Sequence, residues 1–402
     1  GMGMQKTVSA NSKGIQRINR LRVLDLIRSG NLVARSAICE RTGLSAASVS
    51  NIVSYLIENG LVKEANCENV SRSGRKSVLL RFAVENYRLI TVSHIGSMLY
   101  IFLTDLAGEV FTHMEYRMQD LAPGAITELL CGGIQEMFCS PRGKTAIGVG
   151  IFLSAMVLDE GRQVISATLQ WDVPEIRRRL TEIMDMPLHI SNSTFTKGLW
   201  FCRRSAENNS GLSLFIDIAQ GMGAALIQDG VRIPQVIGEI GHTTVARDGD
   251  ACTCGNHGCL EAMCSPARML QLYARESGQP LQQLKSLTRL AEAGDRKALS
   301  AIDDCAEYLG IGLANLVSLF NPNEMVINAA DYVHCPRVVE KALAVMQKRI
   351  LPGLASHMTI RSVLFNESDL PHAIAWELCG AMFSETFPED VFDRIEKMAC
   401  AH

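Results

Sequence analysis

The chain reads as α/β, a small helical module followed by a larger mixed body. Three observations predict this. Three short amphipathic helices between Gly14 and Asn59 close on a strand pair. From Leu89 onward, apolar strand-like runs alternate with helices and glycine-rich turns. At 402 residues the chain has room for two or three domains with cores of their own. Domains are expected at 1–82 and 83–402.

Hydrophobic residues make up 47% and charged residues 20%. No apolar run approaches the ~20 residues of a membrane helix, and no signal peptide is read at the start. A cytoplasmic protein without a membrane partner is expected. Thirteen cysteines, odd in number and scattered, fit a reducing compartment. The net charge of −3 hides an asymmetry, about +8 over residues 1–82 against −11 over the rest. A basic head on an acidic body points to a polyanion as the head's partner.

Taken in order, Ile15, Ile18, Leu21, Leu24 and Ile27 recur at three-residue steps, the apolar face of a first helix that stops near Gly30. A second helix spans about Arg35 to Thr42. Gly43 permits a sharp turn, Leu44 packs inward, and Ser45 is placed to cap a third helix. That helix turns Val49, Ile52, Val53 and Leu56 inward and leaves Ser45, Ser48, Ser50 and Asn51 outward. This is the helix-turn-helix pattern, with a small polar face suited to close approach to the major groove. Leu61–Lys63 and Ser77–Phe82 read as strands of a wing whose tip carries Arg72, Arg75 and Lys76. Candidate DNA-contacting residues are Arg35, Ser45, Ser48, Ser50, Asn51, Arg72, Arg75 and Lys76.

In the body, Leu89–Val92 and Leu99–Thr104 read as a hairpin, and Thr145–Phe152, Leu214–Ile218 and Met325–Asn328 as buried strands. Ala306–Phe320 reads as a helix ending before Asn321-Pro322. The densest signal is Gly238-Glu239-Ile240-Gly241-His242 followed by Cys252-Thr253-Cys254-Gly255-Asn256-His257-Gly258-Cys259-Leu260-Glu261. One imidazole and three thiolates, His242, Cys252, Cys254 and Cys259, form the complete donor set of a structural Zn2+ site, with no position left for water. Such a closed site holds its metal too tightly to serve as a sensor.

These residues, with Leu309–Pro322, resemble the ROK family, which joins bacterial sugar kinases and repressors carrying an extra N-terminal DNA-binding domain. The likeness spans nearly the whole length and points to the repressor branch. It implies a winged helix-turn-helix followed by a two-lobed actin-like, ribonuclease-H-like ATPase fold, with one lobe of about 83–190 plus a C-terminal helix and another of about 191–380. It also implies that Asn192, Glu239, His242 and Glu261 face a carbohydrate effector. Two departures stand against phosphoryl transfer. The family's Asp-x-Gly-Gly-Thr hairpin is here Ser93-His94-Ile95-Gly96-Ser97, and its Glu-Asn-Asp segment is Ser191-Asn192-Ser193. A serine hydroxyl is no general base near neutral pH without a partner of its own. The second phosphate turn survives in part as Ala219-Gln220-Gly221-Met222-Gly223, and His94 reads as a local polar contact. The expectation is a zinc-containing regulator, a repressor acting as a dimer or tetramer on double-stranded operator DNA under control of a sugar or sugar phosphate. A sugar kinase with a regulatory head is the alternative.

Overall fold

The computed structural model describes residues 4–65, 78–119, 121–122, 124–166, 170–203, 211–233 and 236–400, with backbone alone for 4–11. The chain parts into two compact units. The first comprises 1–196, 203–209 and 368–402, and the second 197–202 and 210–367.

The head opens the first unit. Helix α1 (Met4–Ser29) begins eleven residues before the predicted face, whose first residue, Ile15, is 54% exposed. The buried stripe is instead Leu21, Val23, Leu24 and Ile27. After β1 (Val33–Ala34) comes α2 (Arg35–Thr42), closed by Gly43 at φ +71°. Ser45 then caps α3 (Ala46–Glu58), its hydroxyl accepting the Ser48 backbone N–H at 3.1 Å. Val49, Ile52, Val53 and Leu56 are buried as the periodicity requires, each worth about 1.5–3 kcal/mol on leaving water. Strands β2 (Val62–Ala65) and β3 (Leu79–Phe82) complete a three-stranded sheet ordered β1-β3-β2. The wing tip, with Arg72, Arg75 and Lys76, lies outside the described residues.

The rest of this unit is a sheet of β4 (Arg88–Ile95), β5 (Met98–Thr104), β6 (Val110–Arg117), β7 (Ala146–Leu153) and, after the β8 (Met156–Leu158) and β9 (Gln163–Ile165) hairpin, β10 (Leu188–Asn192). Its order is β10-β7-β4-β5-β6, with β4, β7 and β10 parallel. Helices α4 (Ala125–Cys139) and α5 (Val173–Met184) supply the crossovers, since parallel strands cannot be joined by tight turns. Helix α6 (Ser193–Phe201) is divided between the units.

The second unit repeats that topology. Strands β11 (Leu212–Ile218), β12 (Met222–Gln228), β13 (Val231–Arg232), β14 (Glu324–Asn328) and β15 (Thr359–Val363) lie in the order β13-β12-β11-β14-β15, with β11, β14 and β15 parallel. Two antiparallel neighbours on one side and two parallel ones on the other thus recur in both sheets. Helices α7 (Leu260–Cys264), α8 (Pro266–Ser277) and α9 (Leu284–Glu292) precede α10 (Arg296–Phe320), and α11 (Arg337–Arg349) follows β14. The predicted Ala306–Phe320 is only the second half of α10. Its first half, opened by the Asp295 cap, buries Ala298, Ala301, Ile302 and Cys305 in the same core.

The chain ends in the first unit with α12 (Leu370–Met382) and α13 (Val391–Ala399). This C-terminal segment binds the head through charge. Arg17 approaches Asp390 at 3.7 Å, Arg20 approaches Glu396 at 4.0 Å, and Arg22 approaches Glu385 at 3.4 Å. Arg20 also lies 3.5 Å from the centre of the Tyr55 ring, whose hydroxyl donates to Glu396 and whose edge meets Phe392. Burial, then Glu396, pushes the Tyr55 phenol above its ordinary range. The C-terminal end of α3 is therefore seated on α13, while its N-terminal end stays open. Among the described residues no helix is long and apolar enough to cross a membrane.

Candidate metal centre and the residues around it

Backbone geometry builds the metal loop before its side chains are considered. Gly255 N–H donates to the Cys252 carbonyl at 3.0 Å and Cys252 N–H to the Asn256 carbonyl at 2.7 Å, folding the two thiols back on each other. Thr244 and Cys259 pair across an isolated bridge, and Cys259 immediately precedes α7. Gly258 has φ +71°, and a Cβ there would lie 1.5 Å from the Ala246 carbonyl oxygen, so any other residue breaks the loop.

The result is that the ligand atoms of His242, Cys252, Cys254 and Cys259 all lie within 4.8 Å of one another. Cys252 Sγ is 3.6 Å from His242 Nδ1, and Cys254 Sγ is 3.6 Å from Cys259 Sγ. Bonds of about 2.0–2.3 Å from a tetrahedral ion set such neighbours roughly 3.5–3.8 Å apart. The donor set and spacing fit a metal ion. Arg268 ties the loop to α10, its Nε at 3.0 Å from Asp250 and its Nη1 at 2.5 Å from Asp304, with the Met263 carbonyl accepting as well.

His242 turns Nδ1 to the thiols, which directs Nε2 away from them. Beside it, Glu239 is half-buried, and its carboxyl is raised from the usual range mainly by burial, against the opposing pull of His242. Glu261 accepts the Met222 N–H at 3.2 Å through Oε2. The second unit therefore offers two carboxylates and an imidazole edge, acceptors and a donor suited to hydroxyl groups.

The first unit looks different. Asn192 Nδ2 donates to the Ala155 carbonyl, and its Oδ1 accepts the Thr194 N–H at 2.8 Å, so both ends of its amide serve local backbone. Ser193 Oγ lies 3.4 Å from Ser154 Oγ, and Ser93 is buried. Ser191 donates to Glu377 Oε1 at 2.8 Å, a buried carboxylate on α12 that also has His189 Nε2 3.4 Å from its other oxygen. His94 is 7% exposed, its ring edge against Trp171, and neither ring nitrogen makes a hydrogen bond of acceptable geometry. It is a packed residue rather than the polar contact expected, because residue 94 points to the apolar face of β4 with Ile90 and Val92. Burial holds its pKa below the ordinary value, partly offset by the Gly96 backbone.

Two further arrangements escaped the sequence. Lys197 Nζ sits 3.0 Å from Asp217, whose other oxygen accepts from Asn328 at 2.8 Å. Both carboxylate oxygens of Asp331 accept the Gln220 N–H, at 3.1 and 3.0 Å. On the head, Ser48, Ser50 and Asn51 are exposed, Ser45 is engaged as the cap, and Arg35 is paired with Glu64 at 3.1 Å.

A winged helix-turn-helix joined to two repeated α/β units with a Cys3His loop defines a class, that of regulators built on a kinase-like body. The chain belongs to the ROK family, whose sequence model matches residues 95–369. It is 26% identical over 359 residues to the xylose repressor of Caldicellulosiruptor bescii, covering 83% of this chain and 88% of that one. It is also 26% identical over 343 residues to the DNA-binding transcriptional dual regulator NagC of Escherichia coli, covering 82% and 84%. A crystal structure of a ROK family transcriptional regulator, described as a homologue of the Escherichia coli MLC protein, superposes with a TM-score of 0.78 at 22% identity, over 96% of this chain and 100% of that one. That likeness establishes the fold.

Proposed function

We propose that this protein is a transcriptional repressor that binds operator DNA through its head and responds to a sugar or sugar phosphate in its body. The observation that carries this is the outward face of α3, where Ser48, Ser50 and Asn51 stand exposed beyond a hydrogen-bonded Ser45 cap. Small polar side chains at the start of a recognition helix let backbone and side chains reach base edges. Arg72, Arg75 and Lys76 on the wing and Arg35 on α2 would add phosphate contacts, Arg35 after exchanging Glu64 for phosphate. Two heads on a two-fold axis would read half-sites about 34–36 Å apart, which requires a dimer or a higher even oligomer.

The name of the Caldicellulosiruptor bescii relative, a xylose repressor, agrees with the acceptors Glu239 and Glu261 and the imidazole of His242. Asn192, implied by the family resemblance to face the effector, has both ends of its amide on local backbone, and its part would be to shape the strand end from which α6 starts. The metal is zinc, held by His242, Cys252, Cys254 and Cys259, and it supplies structure: it fixes the loop and the tautomer of His242. The body performs no phosphoryl transfer, because Ser93 and Ser193 stand where family kinases carry carboxylates.

The test is a fluorescence-anisotropy titration with operator fragments, combined with thermal shifts against sugars, sugar phosphates and ATP. The expected result is sequence-specific DNA binding weakened by one carbohydrate, with ATP silent. Asn51→Ala should change sequence preference, whereas Arg75→Ala should weaken all DNA alike. Transfer of phosphate from ATP to a sugar would overturn the reading, as would operator binding indifferent to both substitutions.

A further inference from the structure

One buried arginine joins the metal loop to the helices beneath it. Arg268 lies in the first turn of α8, where the Ser265 hydroxyl accepts its backbone N–H at 3.1 Å. Only 9% of the residue is exposed. Its guanidinium divides its donors between two elements. Nε donates to Asp250 of the loop at 3.0 Å. Nη1 donates to Asp304 on α10 at 2.5 Å and to the Met263 carbonyl at 2.9 Å, with Cys305 Sγ 3.4 Å away. One turn further along α10, the centre of the Tyr308 ring is 5.4 Å from the guanidinium carbon.

Asp250 stands where the two arms of the loop meet. It precedes Cys252 by two residues, and its carbonyl accepts the N–H of Gly258, the residue directly before Cys259, at 2.8 Å. Its own N–H rests on Met263 Sδ at 3.3 Å. Fixing Asp250 therefore sets the approach of Cys252 along the chain and of Cys259 across it. Arg268 does the fixing from outside the loop, and Asp304 holds Arg268 from a helix that supplies no ligand.

We propose that Arg268 is a positioning residue for the metal centre: it holds Asp250 against α10, so that Cys252 and Cys259 converge before an ion arrives. Bringing ligands together costs conformational entropy, and a site arranged in advance does not lose it on binding. The fork of the guanidinium is what the task requires, because one ammonium on a flexible stem has no divergent planar donors. The inference rests on the reading of the loop as a zinc site and adds the residue that shapes it.

The experiment measures Zn2+ affinity of the full-length, reduced protein against a chromophoric chelator, together with the thiolate-to-metal absorption of the Co2+ form and the thermal melt. Arg268→Met keeps the stem and removes the donors. Asp304→Ala removes the hold on α10 and leaves the loop sequence intact. Val317→Ala loosens the same helix near its other end, where Val317 is buried. Zinc affinity should fall about tenfold or more in Arg268→Met and by less in Asp304→Ala, with the Co2+ band weakening in step. Arg268→Lys should not restore it. Val317→Ala should lower the melt yet leave both metal readouts within about twofold of wild type. Wild-type affinity and Co2+ absorption in Arg268→Met overturn the proposal, as does an equal loss of affinity in Val317→Ala. A wild type that takes up no Zn2+ overturns the zinc reading and this inference with it. Should Arg268→Met fail to fold, Asp304→Ala decides: lowered zinc affinity supports the clamp, and wild-type affinity removes it.

Discussion

Two regions that face the same kind of task have opposite characters. Around the metal loop, Glu239 and the Nε2 edge of His242 are left with capacity, and Glu261 has one oxygen on the Met222 N–H. At the end of β10, Asn192 is committed to Ala155 and Thr194, Ser191 to Glu377, and Ser193 only to the neighbourhood of Ser154. Under the proposed reading the polar groups of the first region are the ones left for a ligand, whereas those of the second are spent on the protein's own backbone and side chains. The contrast teaches that nearby polar groups can be spent unevenly. The loop that gathers His242 and the three thiols leaves Glu239 open, whereas the groups at the end of β10 are taken up by neighbouring backbone and side chains.

The comparison breaks most visibly at the metal. Cys259→Ser removes a fully buried ligand and should reduce bound zinc to a small fraction, with a loss of the order of 5 kcal/mol or more. Atomic absorption and thermal melts check this, and a variant that melts like wild type without metal would show the loop to be self-supporting. Next in size, Asn192→Ala should cost about 2 kcal/mol of stability through two lost backbone contacts. Urea unfolding measures it, and an unchanged midpoint would return Asn192 to a purely ligand-facing role.

Glu261→Gln should do the reverse. A glutamine oxygen can keep the Met222 N–H, so stability should move by less than about 1 kcal/mol, while effector affinity falls about tenfold, or ~1.4 kcal/mol. Equal losses in both quantities would erase the distinction between the two regions. The smallest effect is one of pH. His94 has its folded pKa below the ordinary 6.5, so the unfolded chain binds more protons in the window beneath that value. Its contribution is complete above about pH 6.5 and is lost as the pH falls toward the folded value. His94→Leu should flatten that part of the stability profile, and an unaltered acid limb would show that other groups control it.

Much of this was legible in advance, for physical reasons. The α3 periodicity and Ser45 cap are local, so spacing alone places Val49, Ile52, Val53 and Leu56 inward. The metal loop is likewise local, its ligands lying within one short segment. What stayed hidden was long-range or weakly patterned. Strand β6 is largely exposed and shows no apolar alternation. Ser191 meets Glu377 across 186 residues and Gln220 meets Asp331 across 111, separations at which no spacing rule operates. The start of α1 was hidden because its residues carry no apolar stripe.

The seat of the head on α13 changes what its positive charge can do. Binding to DNA draws its salt sensitivity from cations condensed on the phosphates and released when protein charges replace them, about 0.9 per contact on a log–log plot. Arg17, Arg20 and Arg22 already face Asp390, Glu396 and Glu385, and so are poorly placed to release any. A head that counts as +8 by composition should titrate against salt as a much smaller one. Removing 385–402 would then steepen the slope without adding a single basic residue.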